Sequence, residues 1–195
     1  MTSRSSALAT PAPGPGTIRL ALVRMGIEVF GLSYTRDSVF PVICKASIRV
    51  RPPEQVAISA QTIREYKASR SERGAHLNES PVYREFVHAK GRMTVFMEVP
   101  EHCIDDLGRL LRAVGYWGQA SSFAYCVGIN HAKPKPGNVA VPFETVDITR
   151  SVKRYFSCFL SDFRDETVKW EEVMPVLQLG RKNALRLSLY VWPMV

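Results

Sequence analysis

No stretch of this sequence is apolar for long enough to cross a bilayer, and its first residues lack the apolar core of a secretory signal. Both absences lead us to expect a cytoplasmic protein without a membrane partner. Cysteine is sparse and dispersed: Cys44, Cys103, Cys126 and Cys158 form no CxxC pair, and no Cys/His pair has the spacing of zinc ligands. Buried free thiols in a reducing cytosol, with no metal and no cofactor, are the expectation. The four histidines, at 76, 88, 102 and 131, are scattered. Walker loop, dinucleotide fingerprint, HExxH and nucleophile elbow are all missing. Paired carboxylates occur at Asp105-Asp106 and Glu171-Glu172, but adjacent residues diverge on a helix; capping and solvation account for them.

What the chain does have is positive charge. Over 195 residues the formal net charge is +8, and the pI is near 9.5. That excess favours an anionic partner, nucleic acid before an anionic membrane surface, and is equally met by an inert basic surface. An apolar share of 46% is ordinary for a chain that buries a real core, and the length suits one domain with elaborations.

Residues 1–16, small, polar and proline-rich, read as a disordered arm, and 17–195 as a single domain. Ile18, Leu20 and Leu22 alternate with Arg19 and Ala21, which predicts a first strand over Thr17–Phe30; Val42–Arg51 reads as a second. About 52–80 the character changes. Ile58, Ile63 and Tyr66 make a short helical pattern, and Arg64, Lys67, Arg70 and Arg73 follow at steps of three. Those cations lie along a drifting helical stripe or extend from a mobile loop, either a nucleic-acid-gripping excursion or a solvated charged loop. Arg92–Val99 is a strong strand, and Ala184–Trp192 alternates as a terminal one. Lys153–Phe163, dense in aromatics at helical spacing, is predicted to be a helix facing the core or a partner.

Between them, Ile104, Leu107, Leu110, Leu111 and Val114 mark one face of a helix that Gly115 can end in the left-handed conformation. Tyr116-Trp117-Gly118-Gln119-Ala120-Ser121-Ser122-Phe123 follows, then an apolar strand. This glycine, flanked by aromatics and two serines, reads either as a patch for a phosphate or stacked base, or as a tight turn with Trp117 as a core plug. Two further basic loops, with Lys133 and Lys135 and with Arg181 and Lys182 after Gly180, are candidate phosphate contacts or plain solvated loops. Strand, helix and strand in compact succession suit an α+β domain of the ferredoxin-like kind.

Taken together, VYREFVHAKGRMTVFMEV, IDDLGRLLRAVGYWGQASSFAYCV and GRKNALRLSLYVW resemble CRISPR-associated RAMP proteins, above all Cas family five, the Cascade subunit that caps the guide RNA's 5′ handle. The likeness rests on Gly118 to Phe123 after a helix and on Tyr83-Arg84-Glu85-Phe86 before a central strand. The glycine-rich loop many RAMP proteins carry near the C-terminus is here reduced to Gly180-Arg181-Lys182. The resemblance implies a ferredoxin-like, RNA-recognition-type RAMP domain with an inserted basic thumb, and binding without turnover. Its partners would be the crRNA 5′ handle, the backbone and large subunits of a Cascade-type complex, and target DNA near the flanking motif. Arg64, Lys67, Arg70 and Arg73 would belong to the thumb. Trp117, Gln119, Ser121, Ser122, Phe123, Lys133, Lys135, Arg181 and Lys182 would meet RNA.

Two other classes compete. One is an RNA-processing RAMP endoribonuclease using Tyr83, His88 and Lys90 as an acid–base group. The other is a scaffold protein that binds no nucleic acid and docks through the aromatic segment Lys153–Phe163.

Overall fold

The structure, a computed structural model, describes residues 9–68, 77–118, 122–134, 139–142, 155–179 and 184–193. In chain order these form α1 (Pro15–Phe30), α2 (Leu32–Tyr34), a π-helical segment (Thr35–Val39), α3 (Phe40–Lys45), β1 (Ser47–Arg51), β2 (Gln55–Ala68), β3 (Leu77–Lys90), β4 (Thr94–Glu98), a 3-10 turn (Glu101–Cys103), α4 (Ile104–Ala113), β5 (Val141–Pro142), β6 (Tyr155–Phe163), α5 (Trp170–Leu179) and β7 (Leu185–Pro193). The class is α+β, with antiparallel sheets β1–β4, β2–β3 and β5–β7–β6. Two units result: Pro53–Arg92, with residues 9–11, holds the β2–β3 ribbon, and Ala12–Pro52 with the described residues from Met93 onward holds every other element.

The predicted first strand over Thr17–Phe30 is instead α1. The alternating apolar residues hid a second period, because Ile18, Leu22 and Met25 also sit at helical spacing, and all three are buried. Pro15 decides for the helix: its fixed φ and missing N–H cost nothing in a first turn. Residues 9–16, read as part of a disordered arm, lead directly into it. Ala12 is 4% exposed, and a Cβ added at Gly14 would come within 2.7 Å of the Ser161 carbonyl oxygen on β6. At Gly16 it would come within 2.9 Å of the Asp162 Cα. These glycines are where two backbones touch.

Arg19, expected on the polar side of a strand, is 7% exposed. Its Nε donates to Asp162 Oδ1 of β6 at 2.9 Å, and its terminal nitrogens donate to the carbonyls of Ile43, Cys44 (3.2 Å) and Ala46 (2.9 Å). Those carbonyls end α3 and have no intrahelical donor. The second predicted strand, Val42–Arg51, is therefore half right: α3 takes its first residues, and β1 begins at Ser47 with Ile48 and Val50 turned inward.

β4 and β7 form where the alternation predicts, β4 pairing with β1 as Ile48↔Met97 and Val50↔Val95. α4 also forms as predicted, with Leu107 and Leu110 in the core beside Ile18, Leu22, Ile43, Val50 and Val173. It stops at Val114, whose backbone is extended, and Gly115 does not carry the expected left-handed turn. The aromatic helix predicted over Lys153–Phe163 is, in its described part, strand β6. Phe159 is 63% exposed and Leu160 3%, the alternation of a strand. The ladder to β7, from Phe159↔Leu189 to Phe163↔Leu185, supplies backbone partners that a helix would not have given β7. Among the described residues, β1 and β4 share one sheet and β6 and β7 another, so these strands are not joined in one ferredoxin-like sheet.

Arg19→Met should lower the unfolding free energy, read by urea denaturation, by about 2–4 kcal/mol, the cost of leaving the half-buried Asp162 carboxylate and the carbonyls at the end of α3 without their donor; a loss under 1 kcal/mol would deny the cluster its role. Burial pushes the thiols of Cys44 and Cys158 up to about 11. At pH 8 roughly one such thiol in a thousand is ionised, so alkylation followed by mass spectrometry should mark Cys103 and Cys126 well before these two.

Candidate nucleic-acid interface

The stretch read as a short helix or loop at about 52–80 is, as far as Ala68, a strand. β2 pairs with β3 from Gln55↔Lys90 to Ala68↔Leu77. Val56, Ile58, Thr62 and Ile63 are β-branched, which favours this backbone. The change of period changes the meaning of the cations. Steps of three along a strand alternate between faces, so positions 64 and 67 lie on opposite sides of the ribbon. Arg70 and Arg73 lie outside the described residues. Arg64, 76% exposed at its side chain, reaches Glu79 on β3 at 3.0 Å, a surface pair worth little in itself.

Paired residues share a face, so Arg64, Tyr66, Ile58 and Tyr83 stand on one side of the ribbon. Tyr66 is 63% exposed, Tyr83 45% and Ile58 46%. His88 and Lys90 stand on the other side, and the His88 Nε2 is 2.8 Å from the Ser59 hydroxyl. The acid–base group Tyr83, His88 and Lys90 is thus split across the ribbon.

In the other unit, the chain after α4 makes a tight turn. Tyr116 and Phe123 bridge, the Trp117 N–H donates to the Ser122 carbonyl at 3.1 Å, and the Ala124 N–H donates to the Gly115 carbonyl at 3.0 Å. Gly118, not Gly115, takes the positive φ, +75°. Trp117 is half-buried against the core, as a plug. Ser122 is exposed, and Phe123 is 88% exposed. Gln119 and Ser121 lie outside the described residues, as do Lys135, Arg181 and Lys182; Lys133 is described and exposed.

The apolar strand expected after Phe123 has no partner strand among the described residues. It keeps a two-residue rhythm all the same: Phe123, Tyr125 (85% exposed) and Val127 (59%) point outward, while Ala124 and Cys126 are half-buried. Tyr125 was legible from that rhythm and was not singled out. Arg24 was not legible, since it comes from α1. Its guanidinium carbon lies 3.9 Å from the centre of the Tyr116 ring, which stands beside Phe123 across the bridge. Its Nε is 3.6 Å from Glu28 Oε1 and makes no hydrogen bond among the described residues. The result is two exposed rings, Phe123 and Tyr125, beside a half-buried third, Tyr116, that carries a stacked cation. Among the described residues, no group of three or more His, Cys, Asp or Glu could hold a metal ion, and no helix is long and apolar enough to cross a membrane.

No protein-family model matches the chain. The sequence is 25% identical over 192 residues, 97% of this chain and 83% of the relative, to a curated protein of Archaeoglobus fulgidus named CRISPR-associated protein Cas5.

The two aromatics of the turn should separate in thermal and chemical unfolding. Phe123→Ser is expected to change stability by no more than about 0.5 kcal/mol, as a surface substitution. Trp117→Ala should cost about 2–3 kcal/mol, a partial version of a core truncation. The opposite ranking would make Phe123 the plug.

Proposed function

We propose, from the premise that this chain is a Cas5-like CRISPR-associated RAMP protein, that it is a non-catalytic guide-RNA-binding subunit of a class 1, Cascade-type effector complex in antiviral defence. In this reading it caps the 5′ handle of the crRNA, packs against a backbone subunit, and helps seat the large subunit where target DNA is inspected beside the flanking motif. The observation that carries the reading is the exposed row Phe123 and Tyr125 with Arg24 stacked on the adjoining Tyr116. Single-stranded RNA presents phosphates and unstacked bases, and is held by cations together with π-faces. A net charge of +8 supplies the long-range attraction.

Within this reading the residues divide by task. Arg64, Lys67, Arg70 and Arg73 meet phosphates from the thumb, and Lys133, Lys135, Arg181 and Lys182 do so from the loops. Gln119, Ser121 and Ser122 offer hydrogen bonds, and Phe123 a stacking face. Trp117 is better assigned to holding the turn in place, because its ring packs on the core. The split of Tyr83 from His88 and Lys90 argues against a nuclease built on that trio. Subunit contact has its own support: Phe159 (63% exposed), with Leu187 (69%) diagonal to it across the β6–β7 ladder, leaves an apolar sheet face open.

The test is purification, alone and with the products of neighbouring genes, at moderate salt, followed by the 260/280 nm absorbance ratio and sequencing of any bound RNA. A uniform guide RNA with a fixed 5′ end is the expected result. Heterogeneous RNA would reduce the reading to a generic basic surface. A preparation free of RNA in both forms would move the protein to the scaffold class.

A further inference from the structure

We infer that Phe123 and Tyr125 are successive stacking rungs for unpaired bases, with Arg24 as the phosphate contact at the Tyr116 end of the row. The inference rests on the RNA-binding reading and adds to it a footprint, a mode of contact and a separate task for each of Phe123, Tyr125 and Arg24.

Phe123 and Tyr125 are the two most exposed large hydrophobic side chains among the described residues, at 88% and 85%. Single exposed aromatics are common on protein surfaces, but here two rings two residues apart, in a segment whose exposure alternates residue by residue as in extended chain, lie next to Tyr116 across a backbone bridge. Same-side positions in extended chain are about 6.7 Å apart, and stacked bases about 3.4 Å. The spacing between the rungs is therefore two stacking distances, room for one base between the rings and another on an outer face. A folded duplex cannot enter such a ladder, because its bases already stack on one another. The contact is made through π-faces, so it tolerates any base.

Charge complementarity selects nucleic acid over an apolar protein partner. Arg24 is already stacked, with 28% of its side chain exposed; its buried Nε faces the Glu28 carboxylate at 3.6 Å, so the terminal nitrogens are the donors that remain for a ligand. A guanidinium held in that way keeps its outer donors for an anion and loses little freedom in using them. A phosphate following a base stacked on Phe123 comes within its reach. Val127 continues the row but has no π-face, so the ladder ends at Tyr125.

The test uses the full-length protein and a short single-stranded oligoribonucleotide carrying a fluorescent adenine analogue whose emission falls on stacking. Binding to the wild type should quench the probe. Phe123→Ala and Tyr125→Ala should each weaken binding by about 5- to 100-fold and abolish part of the quench, leaving the salt dependence unchanged. Tyr125→Phe, which keeps the ring, should recover most of the loss. Arg24→Gln should instead make the slope of log affinity against log salt shallower by about 1. If both alanine variants bind and quench like the wild type, the ladder is overturned while RNA binding stands. The ladder falls equally if they release a co-purifying protein and leave RNA affinity unmoved. If the wild type binds no RNA, alone or in its complex, the ladder and the function proposed above fall together.

Discussion

One guanidinium holds three separated parts of the larger unit in register. Arg19 comes from α1, its carboxylate partner Asp162 from β6, and its carbonyl partners from the end of α3 and the residue before β1. Burying a charge is costly, and the cost is offset only when nearly every donor finds a partner of good geometry. Here the planar fork finds them on both sides, while Phe163 lies against the guanidinium with its ring centre 5.6 Å away. A helix and a strand that are 143 residues apart in sequence are thereby fixed to each other. The core of Ile18, Leu22, Ile43 and Val173 packs around that arrangement.

The same residue shows why part of the fold was hidden in the sequence. An arginine between Ile18 and Leu20 looks like the wet side of a strand, and the partners that make it a core residue lie far along the chain. β4, α4 and β7 were legible because each carries a single unambiguous period. α1 and β6 were not, because their apolar residues satisfy both periods. Pro15 was a local signal that favoured the helix in α1. For β6 the deciding factor was the hydrogen-bonding demand of β7, which no local pattern states.

The candidate interface was legible to a similar depth. Phe123 and the tight turn at Gly118 could be read from residue types alone, and the exposed ring fits the stacking reading of that patch. Trp117 belongs to the other reading of the same patch, as a plug. Tyr125 needed attention to a period of two. Arg24 needed the fold itself, because its stacking on Tyr116 joins residues from α1 and the turn after α4. On the ribbon, the spacing of Arg64 and Lys67 was read correctly as a number and wrongly as a surface. Three residues make nearly one turn of a helix but turn a strand over.

The backbone contact at Gly14 and Gly16 has a consequence for how the protein behaves in a crowded solution. β6 is an outer strand of its sheet, and outer strands offer unpaired amides and carbonyls to any passing chain. The start of α1 lies against β6 at Ser161 and Asp162, closer than any side chain would permit. Two residues without side chains thus let the polypeptide shield its own strand. At Ser161 and Asp162, the start of α1 occupies the space that another chain would need in order to approach the strand.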